Sequence, residues 1–234
     1  MNEIGERIER VREAIAQAAQ RAGRKETDVR LMAVTKFVPT ERIALAADAG
    51  VTLVGENRAQ EFREKLTFYK QRNLEAHFIG QLQTNKVKYL CGNADLVQSV
   101  DRAELLRAIS DRAGQLGVVQ PILLQVNIGR EPQKGGFPVE SLDAYIAAAM
   151  ETEHVSLRGL MCVPPAGEPE TARPYFRKMR KLLERLQSAV PGANVLSMGM
   201  SHDYPIAIEE GATLVRVGTA IFGARTKLGG EQNG

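Results

Sequence analysis

Between residues 31 and 217, short apolar runs alternate eight times with segments of helical spacing, and this rhythm constrains the fold more than any other feature of the chain. The strand-like runs are 31–35, 52–55, 76–80, 96–99, 121–127, 155–160, 194–198 and 213–217. Several are nearly continuous in apolar residues, the pattern of strands covered on both faces. Helical spacing fills the intervals at 40–49, 58–69, 84–90, 102–116, 139–150, 172–188 and 204–210, and 220–222 closes as a short helical turn. Alternating βα units build a parallel sheet, and eight of them predict closure into a (β/α)8 barrel. The competing arrangement is an open doubly wound sheet. It has fewer strands as a rule, and a glycine fingerprint at its first turn that is missing after Thr35.

Ahead of the barrel, Ile4, Ile8, Val11, Ala14, Ile15 and Ala18 mark one face of an extra N-terminal helix over 2–20, with Gly23 as its C-cap. Loops rich in Gly and Pro are expected at 129–138 and 163–169. The reading is one α/β domain over 1–225 with a disordered tail at 226–234. The 44% of apolar residues supply a sizeable core. The net charge of +3 comes from scattered basic residues, and with no Trp, stacking platforms are scarce, so neither nucleic acid nor membrane is an expected partner. Cys91 and Cys162 form no disulfide framework, and His77, His154 and His202 form no local metal motif. A polar N-terminus and no run of membrane-spanning length predict a cytoplasmic protein.

In such a barrel, chemistry sits at the C-terminal ends of the strands, and phosphates bind after strands seven and eight. Two runs fall there: Ser197-Met198-Gly199-Met200-Ser201-His202-Asp203-Tyr204 and Arg216-Val217-Gly218-Thr219. The Ser201 hydroxyl, the Gly218 and Thr219 amides and the Thr219 hydroxyl could cradle a phosphate; the same residues could simply make turns. Lys36 ends strand one, where apolar surroundings could free its amine as a nucleophile for an aldehyde, or where it could snorkel to solvent. A phosphorylated aldehyde held at both ends describes pyridoxal 5′-phosphate (PLP). Arg216 points inward near the cofactor ring, where it could not protonate a pyridine nitrogen, or it pairs with Glu209 or Glu210. Asn57 contacts a ligand or caps the next helix, the cap being favoured by local sequence. His77 reads as a satisfied core histidine, Lys134 as a mobile ligand contact or a solvated charge, and Met161 and Cys162 as lining the mouth.

Val34-Thr35-Lys36, Gly55-Glu56-Asn57, His77-Phe78-Ile79-Gly80-Gln81-Leu82-Gln83 with Asn85-Lys86, Gly159-Leu160-Met161, and the two late runs extended to Gly223 occur in this order. Together they resemble the YggS/PROSC family of PLP homeostasis proteins, from residue 31 to 223 and with no departure at the key positions. The resemblance implies the barrel of the alanine racemase N-terminal domain and a Schiff base at Lys36. It implies a phosphate cradle of Ser201, Gly218 and Thr219, Arg216 at the pyridine nitrogen and Asn57 among the contacts. Met200 and Tyr204 neighbour the cradle, and Lys134 has a suggested role in PLP exchange. It also implies a monomer that balances vitamin B6 and amino-acid pools without established catalysis, with apo PLP enzymes as transient partners.

Alanine racemase itself draws a second acid/base, a tyrosine, from a C-terminal β-domain of its partner subunit. Eleven residues follow Gly223 here, so no such domain is expected. Three functions stand at this point: a PLP carrier or buffer, a small racemase-like enzyme with Lys36 as its base, and a sugar-phosphate aldolase. The late motifs favour PLP over a sugar phosphate, and the expected lack of the second domain favours the carrier.

Overall fold

The structure is a computed structural model that describes residues 2–224; the expected disordered tail at 226–234 lies outside them. Eight parallel strands close into a barrel in sequential order. They are β1 (Arg30–Val34), β2 (Leu53–Glu56), β3 (Glu75–Phe78), β4 (Leu96–Val100), β5 (Gln120–Val126), β6 (Val155–Cys162), β7 (Val195–Met200) and β8 (Leu214–Val217). The helices are α1 (Glu3–Arg21), α2 (Thr40–Asp48), α3 (Ala59–Gln71), α4 (Val87–Leu90), α5 (Ala103–Leu116), α6 (Leu142–Glu151), α7 (Arg173–Ala189), α8 (Tyr204–Glu209) and α9 (Thr219–Phe222). The closed barrel is the arrangement expected from the repeat, and the open sheet is excluded.

Local chemistry accounts for the extra helix. The Asn2 side chain accepts a hydrogen bond from the Gly5 amide at 2.8 Å, and Glu3 and Glu6 complement the positive end of α1. Just past the last turn Gly23 takes the left-handed conformation, φ +66°, that ends the helix. Ile4, Ile8, Val11 and Ile15 are buried along one face, which packs on α8 and α9. Each such side chain contributes about 1.5–3 kcal/mol on leaving water.

Differences from the sequence reading are confined to element ends. The helix expected at 84–90 is a 3-10 turn, Thr84–Lys86, followed by the four residues of α4. Strand β7 runs on to Met200 rather than stopping at Met198, so Gly199 belongs to the sheet.

Alternation along the strands sorts the core. Ala33 joins the cluster between sheet and helices, whereas Met32 packs inside the barrel with Leu53 and Leu214. Leu96, Leu123 and Met161 form a second interior cluster. Closure pairs the first strand with the last, Met32 opposite Arg216 and Ala33 opposite Val217.

Candidate functional site

At the C-terminal end of the barrel the residues singled out in the sequence converge from β1, β2, β7 and β8. Lys36 follows β1 by two residues and shares the interior parity of Met32, while Thr35 turns outward to α3, its hydroxyl 3.1 Å from that of Tyr69. The Lys36 side chain is half-buried.

Asn57 lies just beyond β2. The cap reading does not hold: the N-cap of α3 is Arg58, and no side chain bonds there. The Oδ1 of Asn57 is instead buried without a hydrogen-bond partner. A buried acceptor left unpaired costs about 1–3 kcal/mol, so an orphan of this kind at the barrel mouth marks a place for a donor from outside the chain. Gly80, after β3, lets the backbone of Asn57 approach so closely that a Cβ there would meet the Asn57 carbonyl oxygen at 1.9 Å.

Arg216, in β8, is 4% exposed and points into the barrel. Its expected partners are engaged elsewhere, Glu209 with Arg21 and Arg173, and Glu210 with Arg173 and Arg177. The guanidinium instead donates from Nη1 to Ser197 Oγ at 2.7 Å and from Nη2 to the Cys162 carbonyl at 2.8 Å. Burial pulls its pKa below the usual arginine value.

Behind Arg216 a polar chain crosses the barrel interior. Ser197 Oγ donates to Gln98 Oε1 at 2.6 Å, and Gln98 Nε2 donates to His77 Nδ1 at 2.8 Å. This direction leaves the imidazole proton on Nε2, where it is shared with Glu75 Oε1 at 2.6 Å. Burial pushes His77 below its ordinary pKa, and the His77 hydrogen bond, aided by Arg30, holds the Glu75 carboxyl down at about 2. His77 is thus the satisfied core histidine expected. Ser197 and Gln98 were not singled out as a pair, because their contact joins β7 to β4 and leaves no local spacing to read.

The two late runs meet as expected. The amides of Gly218 and Ala220 donate to Ser201 Oγ at 3.1 and 3.3 Å, which leaves the hydroxyl proton as the group Ser201 can offer a ligand. Thr219 is exposed and opens α9. Gly199, at φ +89°, is required where β7 turns against α8, since a Cβ would lie 2.6 Å from that of Ala207.

Three expectations need correction. Lys134 is a quarter exposed and engaged within the chain rather than a free solvated charge: its Nζ donates to the Pro164 carbonyl at 2.7 Å and pairs with Glu131 at 2.5 Å, so the loops after β5 and β6 are clasped together. Met161 packs inside the barrel, and Cys162 faces the outer core. Burial raises the Cys162 thiol to about 12, which removes it as a nucleophile.

A cavity of about 600 Å³ opens at the opposite, N-terminal end, lined by Arg24, Arg30, Arg158, Asp28, Glu75 and Asp95 among others. Its charges balance and Arg30 pairs with Glu75, and it lies opposite the C-terminal strand ends where chemistry sits in this fold. Among the described residues no cluster of His, Cys, Asp and Glu could hold a metal ion, and no helix is long and apolar enough to cross a membrane.

Residues 7–226 match the family model for the alanine racemase N-terminal domain. The pyridoxal phosphate homeostasis protein of Aquifex aeolicus is 48% identical over 225 residues, covering 94% of this chain and 97% of that protein. The protein of the same name from Escherichia coli K12 is 39% identical over 231 residues, covering 96% and 98%. Among solved structures, PipY of Synechococcus elongatus with PLP bound superposes with a TM-score of 0.82 at 33% identity, covering 94% of this chain and all of that one.

Proposed function

We propose that this chain, which belongs to the pyridoxal phosphate homeostasis proteins and is built on the alanine racemase N-terminal domain, binds PLP and serves intracellular PLP balance. The observation that carries the reading is the β1–β8 pairing, which makes neighbours of the strand that leads into Lys36 and the strand that carries Arg216 and leads into Gly218 and Thr219. The donor set fits the group: an amine for an aldehyde, the Ser201 and Thr219 hydroxyls for a phosphate with the Gly218 amide bracing Ser201, and the orphaned Asn57 Oδ1 for a donor on the ring.

In this reading Lys36 holds the cofactor covalently through its amine. Ser201, Gly218 and Thr219 hold its phosphate, and Asn57 and Arg216 border its ring. When bound, PLP supplies an electrophilic aldehyde carbon and a ring able to accept electrons. A guanidinium has no proton to give at neutral pH, so Arg216 beside the ring nitrogen would keep the ring a poor electron sink. That supports holding and releasing PLP over turning over an amino acid. We infer a non-catalytic, cytoplasmic monomer that buffers PLP or hands it to apo enzymes.

The test is borohydride reduction of the PLP-loaded protein, followed by peptide mapping. The expected adduct is on Lys36, and the visible absorbance disappears in Lys36→Ala; an adduct on another lysine refutes the site. Mixing loaded protein with an apo PLP enzyme, against an equal amount of free PLP, then reads delivery. Amino-acid racemisation lost in Lys36→Ala would overturn the carrier reading.

A further inference from the structure

Lys36 sits at the corner of a β-turn that strand geometry alone does not explain. The Val38 amide donates to the Thr35 carbonyl at 3.0 Å, and the third residue of the turn, Phe37, has φ +61°. That is the type II arrangement, whose third position is ordinarily Gly or Asn, and a bulky residue held there stores strain of about 1–3 kcal/mol. The Phe37 ring is 54% exposed, with the Arg58 guanidinium over it at 5.0 Å from the ring centre.

What holds the turn is one face of α3. Glu61, Lys65 and Tyr69 are spaced i, i+4 and i+8, so their side chains stack along the helix. Glu61 Oε2 accepts the Phe37 amide at 2.7 Å, just after Lys36. Lys65 Nζ donates to the Thr35 carbonyl at 2.8 Å, just before it. The Thr35 hydroxyl donates to Glu56 Oε1 at 2.7 Å, and Tyr69 OH donates to the same oxygen at 2.8 Å. Lys65 ties the set together, 2.8 Å from Glu56 and 3.3 Å from Glu61, with only 12% of its side chain exposed. The peptides on both sides of Lys36 are therefore gripped by charged, nearly buried groups, and the second carboxylate oxygen of Glu56 is left buried with no hydrogen-bond partner. A strained turn at Lys36, and an orphaned oxygen on the carboxylate that holds the preceding Thr35, are costs that a merely structural turn has no reason to carry.

We propose that Glu56, Glu61 and Lys65 are positioning residues for the Lys36 amine: they lock the turn so that the amine faces the barrel mouth before an aldehyde arrives. The inference rests on the reading of Lys36 as the covalent anchor. In that condensation the Lys36 nitrogen replaces the carbonyl oxygen, which leaves as water with the two amine protons, and no redox partner is needed. Preorganisation of this kind acts on the covalent step and not on the phosphate or ring contacts.

The test compares PLP with 4′-deoxypyridoxine 5′-phosphate, which lacks the aldehyde. Glu61→Ala and Lys65→Met are expected to weaken PLP about tenfold or more while leaving the analogue within about twofold. Adding Phe37→Gly to Glu61→Ala is expected to restore most of the PLP affinity, because glycine adopts a positive φ without strain. Equal losses for both ligands, or no loss for either, overturn the inference. Should the single variants fail to fold, hydrogen exchange on the unmodified protein decides: the Phe37 amide is expected to be protected despite its exposed turn, and rapid exchange refutes the grip. If borohydride finds no adduct on Lys36 in the wild-type protein, the anchor reading has failed instead.

Discussion

Gly80→Ala tests whether the mouth of the barrel is built to the tolerance its contacts imply. The new methyl would stand 1.9 Å from the carbonyl oxygen of Asn57, 2.5 Å from its carbonyl carbon and 2.7 Å from its Cα. All three are backbone atoms, so no rotamer change relieves the clash. Opening the shortest contact to about 3.3 Å moves the Asn57 segment by about 1.4 Å. Overpacking on this scale costs about 1–3 kcal/mol. At about 2 kcal/mol and a urea slope of about 2.5 kcal/mol per M, the unfolding midpoint falls by about 0.8 M with its slope unchanged. The same shift moves the orphaned Oδ1 of Asn57, and PLP affinity is expected to drop about tenfold or more. The control is Gly117→Ala at the far end of α5. Gly117 has φ +65° and nothing within 4 Å of its would-be Cβ, so the substitution costs about 1 kcal/mol of strain and leaves affinity alone. Urea unfolding and PLP titration on both variants separate the effects. An unshifted midpoint in Gly80→Ala, or an affinity loss matched by Gly117→Ala, refutes the reasoning.

Two further outcomes follow from the buried groups. Burial makes His77 harder to protonate in the folded protein than in the unfolded chain, which takes up the proton below about pH 6.5, and Glu75 stays ionised down to about 2 against an ordinary value near 4.3. Both pKa values are depressed, so both contributions are complete above the unfolded pKa and are lost as pH falls. The urea midpoint is expected to decline from about pH 6.5 downward, and His77→Gln to flatten the part above the range where carboxylates titrate; parallel curves for the two proteins contradict the assignment. The second concerns thiols: burial raises Cys91 as well as Cys162, so neither of the two cysteines reacts with Ellman's reagent at pH 8 until urea unfolds the chain. Stoichiometric labelling of the native protein would show that one of these cores opens freely.

Hydrophobic period carried the fold, since each βα unit repeats a pattern that only one closed arrangement buries. The placement of Lys36, Ser201, Arg216 and Gly218 toward one end of the barrel was legible because the C-terminal ends of its parallel strands share one face. Other parts were hidden for physical reasons. Asn before a helix resembles a cap, and the Arg58 N-cap together with the unpaired Oδ1 of Asn57 shows otherwise. Glu61, Lys65 and Tyr69 read as an ordinary polar helix face, because what they grip lies 24 to 34 residues earlier in the chain. Phenylalanine carries no turn signal, so the left-handed Phe37 leaves no trace in the sequence. The chain from His77 through Gln98 and Ser197 to Arg216 links four strands, and spacing along one strand cannot reveal it.

Closure of β8 onto β1 also bears on how the protein is made. Lys36 and Arg216 lie 180 positions apart in sequence, yet their strands are hydrogen-bonded neighbours. A ribosome produces the amine early and its counterpart last. No half-made version of the pocket exists on the nascent chain, because every earlier length lacks the strand that completes it. In the proposed reading the site is therefore completed by the last joint of the barrel, and a chain that stalls before β8 presents the Lys36 amine without Arg216, Gly218 and Thr219.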